Sequence, residues 1–243
     1  MRIIASANQK GGCGKTTTAI NLSSSLSIKG KRVLLIDFDP QAHATIGLNI
    51  KPSDLEKSIY DVITPKKNGF LGIGDILIAI KDNFDLAPSS LILTAVEQEL
   101  SGIEGREDRL FEAIQDLKEE YNYDYIIIDC PPSIGHLCFN ALRACDEVII
   151  PIDMSLFSLR GVAKLIDLAR IAQGPGVGIV GIVLPLEERL IEGGGTQRVC
   201  EFYVLGVVVD RRRRPVICCV DARVDVAHTV QVRRNTRRRT EQA

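Results

Sequence analysis

A glycine-rich run near the amino terminus, Lys-Gly-Gly-Cys-Gly-Lys-Thr-Thr-Thr at positions 10–18, restricts most strongly what this chain can fold into. A strand-like run at residues 2–7 precedes it, and a helical pattern at residues 14–29 follows it, with Gly30 as the expected stop. Glycine lets the backbone turn several amides toward one point, and the helix start adds the positive end of its dipole. Strand, glycine-rich loop and helix in this order predict a loop that binds phosphate groups.

The spacing of this loop departs from the general P-loop, G-x-x-x-x-G-K-[ST], and fits the variant K-G-G-x-G-K-[ST]-T. Residues 7–9, Ala-Asn-Gln, stand where the general form has its first glycine. Lys15 is expected to neutralise the β- and γ-phosphates of ATP, and the Thr16 hydroxyl to ligate Mg²⁺. The predicted nucleotide-binding residues are Gly11, Gly12, Cys13, Gly14, Lys15, Thr16 and Thr17.

Acidic residues stand at the ends of two further apolar runs. Asp37 and Asp39 close the strand predicted at residues 32–37, and Asp129 ends the run of residues 125–128. Side chains two residues apart in a strand lie on the same side, so Asp37 and Asp39 are suited to holding Mg²⁺ and orienting water. A turn-forming Asp-Pro pair at residues 39–40 is the alternative. Asp129 is expected to contact the metal through a bound water, which makes Thr16, Asp37 and Asp129 the predicted metal set.

Short β-type runs alternate with helical stretches over the first 185 residues. We therefore predict an α/β fold, a mostly parallel twisted β-sheet with helices on both faces. The predicted strands are residues 2–7, 32–37, 84–87, 125–129, 147–152 and 178–184. The predicted helices are residues 14–29 with Ala19, Leu22 and Leu26 buried, a short helix through residue 63 after a capping box at Ser53 and Glu56, and residues 108–121 and 159–172.

Composition excludes some classes of protein. A formal net charge of −1 argues against a protein that coats nucleic acid through bulk charge, although a local basic patch stays open. The seven cysteines include no C-x-x-C pair, so we expect reduced thiols and no zinc or iron–sulfur framework. No apolar stretch reaches the roughly 18–20 residues that span a bilayer, and no secretory signal precedes the first strand. We therefore expect a cytoplasmic protein.

Residues 8–18, Asn-Gln-Lys-Gly-Gly-Cys-Gly-Lys-Thr-Thr-Thr, resemble the deviant Walker A motif of the ParA/Soj ATPases in the ParA/MinD superfamily. Residues 37–45 are similar to that family's D-x-D-P-Q-G-N-A-T stretch, and residues 129–133 to its D-x-P-P-S stretch. The resemblance implies that Lys10 reaches the partner's phosphates in an ATP-dependent homodimer. It also implies that Asp39 polarises the attacking water and that Asp37 supports the metal site.

Two residues depart from the family's pattern after the second strand. Ala42 replaces the usual glycine, which suggests that the turn does not require a positive φ, and His43 replaces the usual asparagine. We take His43 to be an ordinary loop histidine and not a catalytic group. We expect no redox role for Cys13 or Cys130, although both are predicted to lie near the nucleotide.

The resemblance favours the ParA/Soj branch over the MinD branch, because residues 230–243 are arginine-rich and lack the apolar face of a membrane helix. It implies a slow ATPase whose dimer binds nucleoid DNA without sequence preference and has no stable membrane anchor. A ParB-type activator would stimulate hydrolysis, and the cycle would segregate chromosome or plasmid DNA. The alternative is a ParA-like positioning ATPase for another cargo, such as a chemotaxis array, a pilus, or secretion or cellulose synthase machinery.

The composition changes abruptly in the last quarter of the chain. Residues 1–170 contain eleven lysines and seven arginines, whereas residues 171–243 contain no lysine and twelve arginines. We divide the chain into a P-loop ATPase domain at residues 1–185 and an atypical arginine-rich segment at residues 186–243. A reading-frame change or fusion near residues 171–190 is the favoured explanation. A divergent end of the same domain, with arginines that bind DNA phosphates, is the alternative.

Overall fold

The computed structural model describes residues 1–65, 71–152, 156–173, 178–185, 201–209 and 215–223. Its strands are β1 (Arg2–Ser6), β2 (Val33–Asp37), β3 (Ile78–Lys81), β4 (Phe84–Ala87), β5 (Tyr125–Asp129), β6 (Glu147–Pro151), β7 (Gly178–Pro185), β8 (Glu201–Val209) and β9 (Pro215–Arg223). Its α-helices are α1 (Lys15–Ile28), α2 (His43–Gly47), α3 (Ile59–Ile63), α4 (Val96–Glu99), α5 (Arg109–Glu120), α6 (His136–Ala144) and α7 (Leu156–Gln173). Short 3₁₀ helices lie at Pro52–Asp54, Ile73–Ile76 and Leu91–Ala95.

The strands form one sheet in the order β3-β4-β2-β5-β1-β6-β7-β8-β9. The strands from β4 to β7 in this order run parallel to one another. β3 joins one edge antiparallel, and β8 and β9 extend the other edge as antiparallel strands. The α/β fold with a mostly parallel sheet is therefore confirmed, and each predicted strand agrees with the structure to within one residue at either end.

The central strands are buried on both faces, which is why they read as unbroken apolar runs. Alternate side chains divide between two hydrophobic clusters. Ile126 and Ile128 of β5 belong to the larger cluster with residues of α5, α6 and α7. Ile127 belongs to the smaller cluster with Ala19 of α1. Helices therefore cover the two faces of the sheet, as predicted.

The first helix packs differently from its predicted apolar face. Ala19 is fully buried, but Leu22 and Leu26 are only partly buried. Small polar side chains, Ser23, Ser24 and Ser27 among them, occupy much of the buried side instead. Ser27 donates its hydroxyl to the Ser24 carbonyl at 2.9 Å, whereas the buried Ser23 hydroxyl has no hydrogen-bond partner among the described residues.

Gly30 ends α1 as predicted, with φ 75°. The capping box predicted at Ser53 and Glu56 is wrong, because Pro52–Asp54 forms a short 3₁₀ helix. The short helix through residue 63 begins at Ile59, where the Asp61 carboxylate accepts the Ser58 backbone N–H at 2.8 Å. Within the described ranges, no helix combines the length and apolar composition that crossing a membrane requires.

The carboxyl-terminal quarter contributes two strands that the sequence did not predict. β8 pairs with β7, and β9 pairs with β8 along its whole length. The arginine runs at residues 211–214 and 233–239 lie outside the described residues. The division at residue 185 and the frame-change interpretation stay predictions.

Candidate functional site

The candidate site lies where three neighbouring parallel strands end. Ser6 at the end of β1 and Asp37 at the end of β2 both stand in register with Asp129 at the end of β5. The loop after β1 leads directly into α1. The predicted phosphate loop and the predicted acidic residues therefore meet at one edge of the sheet, as expected for the carboxyl ends of strands in an open α/β sheet.

The loop between β1 and α1 depends on glycine for its backbone conformation. Gly12 has φ 73° and Gly14 has φ 90°, values that side chains with a Cβ rarely adopt. A Cβ added at Gly11, Gly12 or Gly14 would meet nothing within 4 Å, so the loop borders open space. Gly14 caps α1 without a side-chain hydrogen bond, which leaves the first helical amides available to an anion.

Side chains of the same segment hold this loop in place. Lys15 is buried, and its Nζ donates to the Lys10 carbonyl at 3.1 Å. The Cys13 thiol donates to the same carbonyl at 3.1 Å. The Asn8 amide donates to the Pro151 carbonyl at the end of β6, and its oxygen accepts the Lys10 N–H at 3.1 Å. Asn8 was not a predicted site residue, and its position in the family-like run at residues 8–18 was the only sequence signal for it.

The outer part of the loop faces solvent. Lys10, Gly11, Gly12 and Thr17 are exposed, and Thr16 is half-buried. Part of the predicted nucleotide-binding loop is therefore open to solvent, whereas Cys13 and Lys15 are buried.

Asp129 is buried without hydrogen-bond partners. Its side chain is fully buried, and neither carboxylate oxygen has a partner among the described residues. Burial raises the pKa of Asp129 to about 8, and the charges of Asp37 and Asp39 also raise it. The Thr16 hydroxyl, which is close but completes no hydrogen bond, lowers this pKa, as does Lys15. An unpaired buried carboxylate beside a phosphate-type loop is suited to a cation that is absent from the protein itself.

Asp37 is equally buried but fully hydrogen-bonded. Its Oδ2 accepts the backbone N–H and the hydroxyl of Thr45, each at 2.7 Å, and its Oδ1 accepts the Asp39 N–H at 3.3 Å. Burial raises the pKa of Asp37 to about 6, against the opposing effect of these hydrogen bonds. The Asp37 carboxylate therefore stabilises the turn that follows β2. Its role as one of the Mg²⁺-binding residues stays a prediction. Among the described residues, no three His, Cys, Asp or Glu side chains form a group that could hold a metal ion by themselves.

The turn after β2 corrects one expectation. Ala42 has φ 52° and ψ 34°, so this turn does adopt a left-handed conformation, and the inference drawn from the missing glycine is wrong. The backbone N–H of Ala42 donates to the Asp39 carbonyl at 2.9 Å, which helps to hold the strained residue. His43 is exposed at the start of α2. Burial raises the pKa of the Cys130 thiol well above its usual value, which disfavours the reactive thiolate.

Comparison with known proteins agrees with this geometry. Residues 1–174 match the model of a protein family described as an AAA domain. Over 173 residues the chain is 45% identical to the sporulation initiation inhibitor protein Soj of Bacillus subtilis (strain 168), a match that covers 71% of this chain and 66% of Soj. The chain belongs to the ParA/Soj family.

Other members of the ParA/Soj family give the same result over similar lengths. The chain is 42% identical over 189 residues to the chromosome partitioning protein ParA of Myxococcus xanthus (strain DK1622), covering 76% of this chain and 65% of ParA. The chain thus spans less than two thirds of the length of these curated relatives.

Solved structures share the fold. Cobyrinic acid a,c-diamide synthase from Mycobacterium smegmatis, crystallised with bound ADP and magnesium, superposes with a TM-score of 0.69 at 33% identity, covering 76% of this chain and 74% of that one. A plasmid partition protein from Borrelia burgdorferi superposes with a TM-score of 0.62 at 34% identity, covering 70% of this chain and 72% of that one.

Proposed function

We propose that this ParA/Soj-family chain is a Mg²⁺-dependent ATPase that partitions DNA. The observation that carries the proposal is the buried, unpartnered Asp129 carboxylate beside the glycine loop, with Lys15 within electrostatic range. A buried anion without partners costs free energy, so such a group indicates a cation that the ligand brings. Magnesium and ADP bound to the cobyrinic acid a,c-diamide synthase of the same fold support this choice of cofactors.

The residues of the loop fit a nucleotide. The amides at the start of α1 and around Gly12 would bind the phosphate oxygens, and Lys15 would exchange the Lys10 carbonyl for the β- and γ-phosphates. Thr16 would ligate Mg²⁺, and Asp129 would hold it through a bound water. When bound, Mg²⁺ offsets negative charge on the phosphates.

Hydrolysis would depend on Asp39. Asp39 is buried, and its Oδ1 is occupied by the Gln41 N–H at 2.9 Å. No hydrogen bond within the described part of the chain uses its Oδ2, which we assign to accept a hydrogen bond from the attacking water. One ordered acceptor without a positively charged partner activates water weakly, in keeping with slow, partner-stimulated turnover.

We assign Lys10 to the phosphates of a second subunit in an ATP-dependent homodimer, since its side chain is exposed at the rim of the loop. The dimer would bind DNA through phosphate contacts without sequence preference and would be nucleoid-associated in the cytoplasm. A ParB-type protein would stimulate hydrolysis and release the DNA. The chromosome partitioning ParA and the plasmid partition protein among its relatives support this role.

DNA retention tests the proposal. Wild type, Lys15→Ala and Lys10→Ala are compared for binding of random-sequence duplex DNA at low salt, with and without ATP and Mg²⁺. Wild type is expected to retain DNA only with ATP and Mg²⁺, and each variant to lose about tenfold or more of that binding, because both lysines contact phosphates. Lys29→Ala, at the exposed far end of α1, removes one positive charge elsewhere and should stay near wild type.

Two other outcomes are informative. ATP hydrolysis without DNA retention would contradict the partitioning role and favour a positioning ATPase for a non-DNA cargo. Failure of the wild type to bind ATP with Mg²⁺ would overturn the whole proposal.

A further inference from the structure

The turn that carries Asp39 is attached to the neighbouring strand by Ser89. Ser89 follows the end of β4 and is fully buried. Its hydroxyl donates to the Asp39 carbonyl at 2.8 Å, and its backbone N–H donates to the Thr45 hydroxyl at 3.0 Å. Because β4 pairs with β2 along its length, this attachment has a rigid base. Both bonds are shielded from water.

The direction of each bond in this network is fixed by chemistry. The Asp37 carboxylate can only accept, so the Thr45 hydroxyl must give it its single hydrogen, at 2.7 Å. Thr45 then has only lone pairs left, and it uses one for the Ser89 N–H. Ser89 in turn must donate its own hydroxyl hydrogen to the Asp39 carbonyl. The backbone of Asp39 is thus held from two sides, by Ser89 and by the N–H of Ala42 at 2.9 Å.

We infer that Ser89 is a positioning residue for the hydrolysis reaction, and this inference rests on the proposed function. Ser89 fixes the peptide of Asp39, and the carboxylate oxygen that remains uncommitted, Oδ2, is thereby held in one place. Removing the Ser89 hydroxyl leaves the buried turn with one donor fewer on the Asp39 carbonyl. The turn then gains freedom, and the water-orienting group is less well placed.

Kinetics provide the first test. Ser89→Ala in the full chain should lower kcat for ATP hydrolysis by about tenfold, while the affinity for a non-hydrolysable ATP analogue with Mg²⁺ stays within about twofold. Ser90→Ala is the matched control, since Ser90 is the next residue and its hydroxyl contacts Ser58 and not Asp39. A parallel loss of kcat and analogue affinity would indicate general damage to the fold and would overturn the inference. Should Ser89→Ala not fold, Ser89→Cys keeps a weak donor of similar size and should show a smaller loss of kcat.

Amide hydrogen exchange separates the inference from the proposed function. In Ser89→Ala the amides of Gln41 and Ala42, which bond to Asp39, should exchange about tenfold faster, and those of β1 should not change. If the wild type hydrolyses no ATP but the exchange is faster in Ser89→Ala, the proposed function and the role of Ser89 in hydrolysis are overturned, and only the attachment of the Asp39 turn by Ser89 is supported. Unchanged exchange at Gln41 and Ala42 would overturn the positioning whatever the kinetics show.

Discussion

Asp37 and Asp129 are neighbours in the sheet, yet their negative charges are held in different ways. Asp37 accepts three hydrogen bonds from its own turn, whereas Asp129 accepts none from the described residues. Burial raises both pKa values, to about 6 for Asp37 and about 8 for Asp129. The carboxylate without partners has the larger shift, and it is therefore the one that should depend most on an external cation.

The raised pKa of Asp129 predicts a pH-dependent stability of the nucleotide-free protein. A carboxyl whose folded pKa is about 8 binds its proton more tightly folded than unfolded, so its contribution to the free energy of unfolding falls as pH rises from about 4 to about 8. Asparagine does not ionise, so the free energy of unfolding of Asp129→Asn does not fall in this way as pH rises. At pH 8.5 without Mg²⁺ the variant should be more stable than wild type by about 1–2 kcal/mol. Thermal unfolding between pH 5 and pH 8.5 measures the difference.

Asp129→Asn should lose its advantage in stability when Mg²⁺ and ATP are present. Mg²⁺ with ATP should raise the melting temperature of wild type and have little effect on Asp129→Asn, because the variant lacks the carboxylate that we propose holds the metal. Asp54→Asn, which changes an exposed carboxylate that is not part of the candidate site, is the control and should follow wild type in both conditions. A variant that melts below wild type at pH 8.5 without Mg²⁺ would contradict the assignment of an uncompensated charge to Asp129.

At the scale of elements, the junction of the phosphate loop and α1 depends on one backbone conformation. Gly14 has φ 90°, but Gly11 has no positive φ, and an added Cβ is free of contacts at both positions. Gly14→Ala should therefore lower the free energy of unfolding by about 1–2 kcal/mol through backbone strain alone, whereas Gly11→Ala should change it by less than about 0.5 kcal/mol. Urea unfolding of the two variants without nucleotide makes the comparison, and equal effects would show that strain at Gly14 is not the cause.

Elements with a strong local pattern were predictable from sequence. The central strands are apolar throughout because both faces are buried, and the glycine loop is defined by residue types that few other structures require. The buried serines of α1 were not predictable, because small polar side chains on the buried side of a helix leave no apolar period. β3 was missed for another reason. It is a short, half-exposed edge strand that pairs antiparallel with β4.

The site was predicted in part. The sequence placed the loop and the three aspartates at one edge, because the strand ends alone determine that. Tertiary contacts of Thr45 and Ser89 determine which aspartate has carboxylate oxygens without a hydrogen-bond partner. Those contacts join segments 44 residues apart, so the sequence pattern does not show them. The left-handed Ala42 is likewise imposed by its neighbours against the preference of alanine.

At the scale of the whole molecule, the candidate site and the last two strands are separate parts of one sheet. The site lies at the ends of β1, β2 and β5, near the middle of the strand order, whereas β8 and β9 lie beyond β7 at one edge. Residues 1–174, which the family model matches, contain every predicted site residue. Removal of the edge strands should therefore affect the exposed edge more than the site.

Truncation after Pro185 tests this division. The shortened chain should bind a fluorescent ATP analogue with Mg²⁺ within about threefold of the full-chain affinity, since among the described strands β8 and β9 pair only with β7 and each other. It should also self-associate, because β7, with the sequence Gly-Ile-Val-Gly-Ile-Val-Leu-Pro, becomes an unpaired apolar edge. Val183→Lys in the truncated chain places a charge on that edge and should reduce the self-association seen by analytical ultracentrifugation. If the truncated chain is monomeric but has lost nucleotide binding, residues after 185 support the site itself, and the division of the chain at that point is wrong.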